Sequence, residues 1–185
     1  MIRSLFLLPI LLGIVLGPAQ ASPVDINGAR FEASFEADGQ RWRRLGSGLF
    51  RYMIWDAYAG AYYQGDGNPN PAPQARIPRH LELAYFYAID AEDFAEATRE
   101  SLRQALGEAE YAALEAGLEA FNRRYRDVTP GDRYALTWAG ERLRLRLNDE
   151  LLYEGDDPQL ARALFGIWLG PRPLRDDFRD ALLGR

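Results

Sequence analysis

Few side chains in this sequence could carry covalent or acid–base chemistry. It has one imidazole, His80, no cysteine and no lysine, so arginine supplies its other positive charges. Schiff-base chemistry and lysine general bases are excluded. A serine hydrolase would need His80 as its base, and no G-x-S-x-G turn accompanies it. Zinc, haem and iron–sulfur sites draw on Cys and His clusters that one histidine cannot furnish. Phenols and guanidinium groups remain. They meet most densely in residues 46–63, GSGLFRYMIWDAYAGAYY, which set bulky aromatics at alternate positions, alanines between them, and a single cation, Arg51. Such a stretch suits the wall of an apolar pocket, where one guanidinium would be an anion-binding group.

The elements that would position these groups can be read in order. The chain opens MIRSLFLLPILLGIVLGPAQAS: Arg3, an apolar run from Leu5 to Leu16, then Ala19-Gln20-Ala21. This has the form of a cleavable secretory leader over 1–21, too short and too broken by Pro9 and Gly13 to span a bilayer. Residues 22–185 then form one domain, exported to the periplasm, with no membrane span after cleavage. The net charge of −5 makes nucleic acid and anionic lipid headgroups poor partners. Without disulfides, stability must come from packing.

Within that domain, ARFEASF and Trp42 flank the turn Ala37-Asp38-Gly39, a hairpin signal. Residues 46–63 follow as the longest strand candidate. A Gly-, Pro- and Asn-rich loop occupies 65–78; its Asp66, Asn68 and Asn70 open like a calcium loop, but Pro71 and Ile77 stand where Gly and Glu are required. HLELAYFYAI then alternates, with Leu81, Leu83, Tyr85, Tyr87 and Ile89 on one face. His80, at its start, reads as structural or solvent-facing. Asp90 is placed to cap a helix that Gly107 ends and in which Phe94, Thr98, Ser101, Leu102 and Ala105 share a face. A second helix spans about 108–124. Beyond Thr129-Pro130-Gly131-Asp132 come three short strands with Leu143, Leu145 and Leu147 inward and Arg142, Arg144 and Arg146 outward. Asp157-Pro158 starts a helix that Gly170 closes, and a last short helix covers about 174–183. Strands, helix pair, strands and helix pair give an α+β class with a mostly antiparallel sheet.

In that order, GSGLFRYMIWDAYAGAYY, LELAYFYAIDAEDFAEATRESL, TPGDRYALTW and ARALFGIWLGPRPLRDDFRDALLG resemble the bacterial chalcone isomerase-like proteins, exported relatives of the plant chalcone isomerases. The resemblance covers nearly all of 22–185. It implies an open-faced β-sandwich, a long antiparallel sheet covered by a layer of helices, with a ligand cleft between them. It also implies where the isomerases keep their polar groups. Their arginine falls here on Phe50, their Thr–Tyr pair on Tyr58 and Phe94, their Asn on Ser101, and their last Thr or Ser on Ile167. Only Tyr58 and Ser101 keep a polar group, so the isomerase mechanism loses the cation that steadies its anion.

Arg51 lies one position beyond Phe50. In a regular strand it faces away from the cleft and pairs with a surface acid, unless a β-bulge near Gly46–Gly48 turns it inward. The small residues Ala57, Ala59 and Ala61 would admit either close helix packing or a ligand slot lined by Tyr85 and Tyr87. The candidate ligand-binding residues are therefore Phe50, Arg51, Tyr58, Tyr85, Tyr87, Phe94, Ser101 and Ile167, with no catalytic residue, cofactor or metal. Three functions follow. The first is a non-catalytic envelope protein that binds a hydrophobic carboxylate such as a fatty acid, a property of the family's non-enzymatic branch, with Arg51 neutralising the carboxylate and Tyr58 donating. The second is an intramolecular lyase or isomerase on a chalcone-like or enone substrate. The third is a module docking another envelope protein through the Arg142–Arg144–Arg146 face.

Overall fold

A computed structural model describes residues 22–65, 67 and 77–185. The leader expected at 1–21 and most of the rejected calcium loop lie outside them. Two short strands, β1 (Val24–Ile26) and β2 (Ala29–Phe31), pair only with each other. The next seven are β3 (Ser34–Ala37), β4 (Gln40–Tyr52), β5 (Trp55–Gly65), β6 (Arg79–Tyr85), β7 (Arg133–Ala139), β8 (Arg142–Leu147) and β9 (Glu150–Gly155). They form one antiparallel sheet in chain order. Helices α1 (Ala91–Ala105) and α2 (Glu108–Asn122) are inserted between the paired strands β6 and β7; α3 (Pro158–Leu169) and α4 (Asp176–Leu182) end the chain. The fold is the expected α+β open-faced sandwich, a sheet covered on one face by four helices.

Sheet pairing explains the 46–63 stretch, and corrects its reading as one strand. It is a hairpin: β4 reverses at Met53-Ile54 and pairs with β5, setting Phe50 opposite Tyr58 and Tyr52 opposite Trp55. A turn of Met and Ile carries none of the Gly, Asn or Asp that mark reversals, although Met53 adopts φ 54°. A register shift between Arg44 and Gly46 changes which side chains face the helices. Before it Trp42 joins a cluster with Phe31, Ala59, Ala61 and Tyr63 on the convex face, where β1 and β2 lie. After it Phe50 joins Tyr58, Tyr62, Leu81, Leu83 and Tyr85 in the main core under the helices.

The small residues thus divide differently from expectation. Ala59 and Ala61 admit neither helix nor ligand; they pack in the convex cluster with Phe31 and Trp42. Glycines make room for the helix. A Cβ on Gly48 would stand 2.7 Å from Ala181 Cβ, and one on Gly60 2.8 Å from the Phe178 ring, both carried by α4.

Helix ends also show what side-chain chemistry did and did not decide. Asp157 caps α3 through its Oδ1, which accepts from Gln159 N at 2.8 Å and Leu160 N at 3.1 Å, with Pro158 at the first helical position. Asp90 precedes α1 but makes no such bond; Asp127 Oδ1 accepts from Ala91 N instead. Gly107 is the N-cap of α2, and Leu106 closes α1. His80 is half-buried among Phe35, Trp42 and Tyr63, with Nδ1 2.8 Å from Thr137 Oγ1.

Candidate functional site: an aromatic cavity between sheet and helices

Between the concave face of the sheet and the helix layer lies a cavity of about 1040 Å³. Its floor comes from alternate residues of neighbouring strands: Phe50 of β4, Tyr58 of β5, Leu81, Leu83 and Tyr85 of β6, Tyr134 and Leu136 of β7, and Leu145 of β8. The period-2 alternation of these strands delivers one large apolar side chain every second residue to this face. The roof is Phe94, Ala97, Thr98 and Ser101 of α1 with Leu164, Ile167 and Trp168 of α3. Toward solvent the lining becomes Tyr52, Trp55, Tyr87, Glu100, Gln104 and Leu174, all exposed.

The rings lean on one another. Phe50 stacks on Tyr58 at 4.5 Å with 4° between planes, and Phe178 closes edge-on against both. Tyr85 lies 5.5 Å from Tyr58 and 5.3 Å from Phe94, which stacks on Tyr125. The polar atoms are few. Tyr58 OH accepts from Trp168 Nε1 at 3.0 Å, which leaves its own proton to donate elsewhere. Thr98 and Tyr125 hydroxyls share a bond of 3.1 Å, and Ser101 Oγ is spent on the Ala97 carbonyl of its own helix. The Tyr85 hydroxyl has no hydrogen-bond partner among the described residues. Burial pushes the Tyr58, Tyr85 and Tyr125 phenols well above their usual range. They are neutral donors and acceptors, not bases.

Of the eight residues expected from sequence, Phe50, Tyr58, Tyr85, Tyr87, Phe94, Ser101 and Ile167 line this cavity; Arg51 does not. A second register shift falls between Phe50 and Arg51. The guanidinium is exposed, its Nε 2.7 Å from Asp56 Oδ1, and Asp56 also accepts from Asn27 in the β1–β2 turn. That contact fixes the pair on the convex side, and Arg51 holds the Asp56 carboxyl below its usual pKa. The role expected for Arg51, neutralising a carboxylate in the cleft, is therefore corrected. Among the described lining residues there is no arginine and no histidine. The described residues hold no cluster that could bind a metal ion.

Sequence reasoning missed Trp168, Thr98 and Tyr125 as site residues. An indole N–H on a helix facing the core needs an acceptor, but nothing local in the sequence points to Tyr58, 110 positions away. The outward arginines are also occupied: Arg144 pairs with Glu154 and Asp38, Arg142 with Asp156, and Arg146 donates to the Asp149 carbonyl.

No curated protein sequence matches this chain. Among solved structures, the crystal structure of the Arabidopsis thaliana fatty-acid binding protein AtFAP1 is similar. It has a TM-score of 0.69 and 19% identity, covering 88% of this chain and 96% of that one. The family model described as chalcone isomerase-like matches residues 23–184. The chain thus belongs to the chalcone isomerase-like family.

Proposed function

We propose that this protein is a holder, not a catalyst, for a long hydrophobic molecule of the fatty-acid class, and that it works outside the cytoplasm after removal of residues 1–21. The observation that carries the reading is the cavity itself. At about 1040 Å³ it lies just above the ~300–1,000 Å³ usual for small-molecule sites. Its lining is aromatic and aliphatic, with two phenols, Tyr58 and Tyr85, able to meet one polar head group. The similarity to AtFAP1 supports the ligand class.

The cavity's chemistry also says how a carboxyl would be held. An ionised carboxylate deep in it would lose its water and gain no cation from the described lining, a cost of several kcal/mol. Tyr58 can donate through its free proton, and Tyr85 can donate or accept. Together they suit an uncharged carboxylic acid or another neutral head group. The acids near the opening, Asp93 and Glu100, favour that choice further.

Native mass spectrometry of protein purified from its own host tests the reading. A co-purifying mass in the fatty-acid range, displaced by added fatty acid and lost in Tyr58→Phe/Tyr85→Phe, is the expected result. No bound lipid, together with flat titrations of a fluorescent fatty acid, would remove it. Accelerated loss of chalcone absorbance between pH 6 and 9 would replace the holder with an isomerase. N-terminal sequencing of the envelope fraction tests export, with Ser22 as the expected first residue.

A further inference from the structure

The described residues contain five two-residue strand reversals, and four are built only from polar residues and Gly. Asn27-Gly28, Asp38-Gly39 and Asn148-Asp149 place only Asn, Asp or Gly where φ is positive, and Gly140-Glu141 adds a polar, exposed Glu141 at φ 58°. The fifth, between β4 and β5, is Met53-Ile54. There a methionine takes φ 54°, Met53 and Ile54 are 80% and 83% exposed, and Tyr52 and Trp55 on either side are also exposed. Four consecutive large apolar residues at a solvent-facing turn are unfavourable twice, for the backbone and for hydration. Glu141 shares the backbone cost, but all four other turns avoid the hydration cost, which among these reversals falls on Met53-Ile54 alone.

We infer that the Tyr52–Trp55 hairpin end is a bilayer-docking element, inserted into the lipid interface so that the cavity opens onto the membrane. Three observations select a lipid surface as the occupant. Tyr52 and Trp55 line the cavity opening as well as the tip, so whatever covers the tip also faces the ligand's path. Trp55 packs edge-on with exposed Tyr87 at 6.0 Å, which puts two amphipathic rings behind the wholly apolar Met and Ile. This order, aliphatic foremost and Trp/Tyr behind, matches the gradient from acyl chain to headgroup. The end of one hairpin also offers only a few hundred Å², short of the ~800 Å² per partner that a stable protein interface needs. Insertion into lipid has no such threshold, because each side chain leaves water independently. The nearest cation, Arg51, is neutralised by Asp56, and α1 carries Glu92, Asp93, Glu96 and Glu100. Docking therefore depends on apolar insertion and not on anionic lipid. The inference rests on the holder reading for its purpose but not for its test.

That test is co-sedimentation of protein, expressed from the full sequence, with phosphatidylcholine vesicles. It compares wild type with Met53→Asn/Ile54→Gly, which installs a favoured turn. Wild type is expected to bind equally in 0.1 M and 1 M salt, with a blue shift of tryptophan emission that Trp55→Phe removes. The double variant is expected to bind at least about tenfold more weakly, from losing two inserted side chains, while its melting temperature stays the same or rises. Equal binding by the double variant overturns the inference, whether residues 1–21 or another surface holds the vesicle. So does absence of wild-type binding, or a tip-dependent dimer in sedimentation velocity without vesicles. A fluorescent fatty-acid titration in vesicle-free buffer is run on the same samples. Intact titration without vesicle binding removes the docking element and leaves the holder standing; vesicle binding without titration does the reverse.

Discussion

Replacing Gly46 by alanine tests how the cavity wall is held. Gly46 lies beneath the C-terminal end of α4, and a Cβ there would run into the carbonyl oxygen of Ala181 and stand 2.8 Å from that of Leu182. These are backbone atoms, so no rotamer relieves the clash; the helix must lift by roughly 1 Å to reach ordinary contact. Phe178, Leu182 and Leu183, all buried, depend on that seating. Their complete release would cost about 1.5–3 kcal/mol each. A gap of ~0.5–1 Å forfeits about a quarter to a half of the contact energy, so the expected destabilisation is about 2–4 kcal/mol. For a domain of this size that is roughly 5–15 °C in Tm, readable by calorimetry or a denaturant midpoint. Because Phe178 closes edge-on over Phe50 and Tyr58 at 5.4 and 5.6 Å, ligand affinity should fall with it. Gly48→Ala is the control. Its Cβ meets the Ala181 methyl at 2.7 Å, so Ala181→Gly should relieve it in part, less the ~1 kcal/mol that a helical glycine costs. The same change should do nothing for Gly46→Ala. A Gly46→Ala melting temperature within about 2 °C of wild type, or equal rescue of both variants, would refute the packing account.

Three further outcomes are expected. Tyr58→Phe removes the acceptor for Trp168 Nε1 and one of the two free phenol donors; denaturant midpoints should show a loss of about 1–2 kcal/mol, and fatty-acid titration a weaker complex. Phe50→Arg introduces a buried cation in place of two ring contacts, so the ligand-free protein should melt well below wild type. Added fatty acid should restore more of the loss than the matching alcohol, since only the acid can ionise against the new charge, and equal rescue by both would place the head group elsewhere. Desolvation holds His80 down to about 4 from 6.5. The unfolded chain therefore takes up a proton that the folded one refuses, and stability is lost as pH falls from about 6.5 toward 4. The loss is at most about 3 kcal/mol. His80→Gln should flatten that limb of the stability–pH curve, and an unchanged slope would show the ring to be solvated.

The order of strands and helices was legible because each segment repeats its own hydrophobic period. Leu143-Leu145-Leu147 against Arg142-Arg144-Arg146 is a strand at sight, and Asp157-Pro158 is a helix start that the structure reproduces bond for bond. Of the seven expected site residues that line the cavity, Tyr85 and Tyr87 came from strand alternation, and Phe50, Tyr58, Phe94, Ser101 and Ile167 from the family resemblance. Reading failed where backbone geometry overrode the count. The register shift after Arg44 and the reversal at Met53-Ile54 each change the face of every later residue. The first falls beside Gly46, where a bulge was allowed for, but the reversal carries no Gly, Asn or Pro to announce it, and Ala59 and Ala61 were assigned to the wrong neighbours. Asp90 misled for the opposite reason: a favoured capping residue was present, but Asp127, 37 positions away, made the bond. Such long-range competition leaves no local signature.

The placement of Arg51 bears on the proposed choice of holding over catalysis. An isomerase must lower its barrier by about 8 kcal/mol for even a millionfold acceleration. Among the groups this cavity offers an oxyanion are the phenols of Tyr58 and Tyr85, and a hydrogen bond to a charged group is worth about 1.5–3 kcal/mol. Two such bonds give at most roughly 6 kcal/mol, against several kcal/mol for drying the anion in the first place. Burial has meanwhile made both phenols weaker acids, and so poorer stabilisers of a neighbouring negative charge. The same two groups are sufficient for a ligand that stays neutral, because they need only replace the hydrogen bonds its head group leaves behind in water while the rings and leucines take the chain. With Phe50 in the cavity and Arg51 paired to Asp56 on the convex face, the proposed holder keeps an apolar chamber and asks no anion chemistry of it.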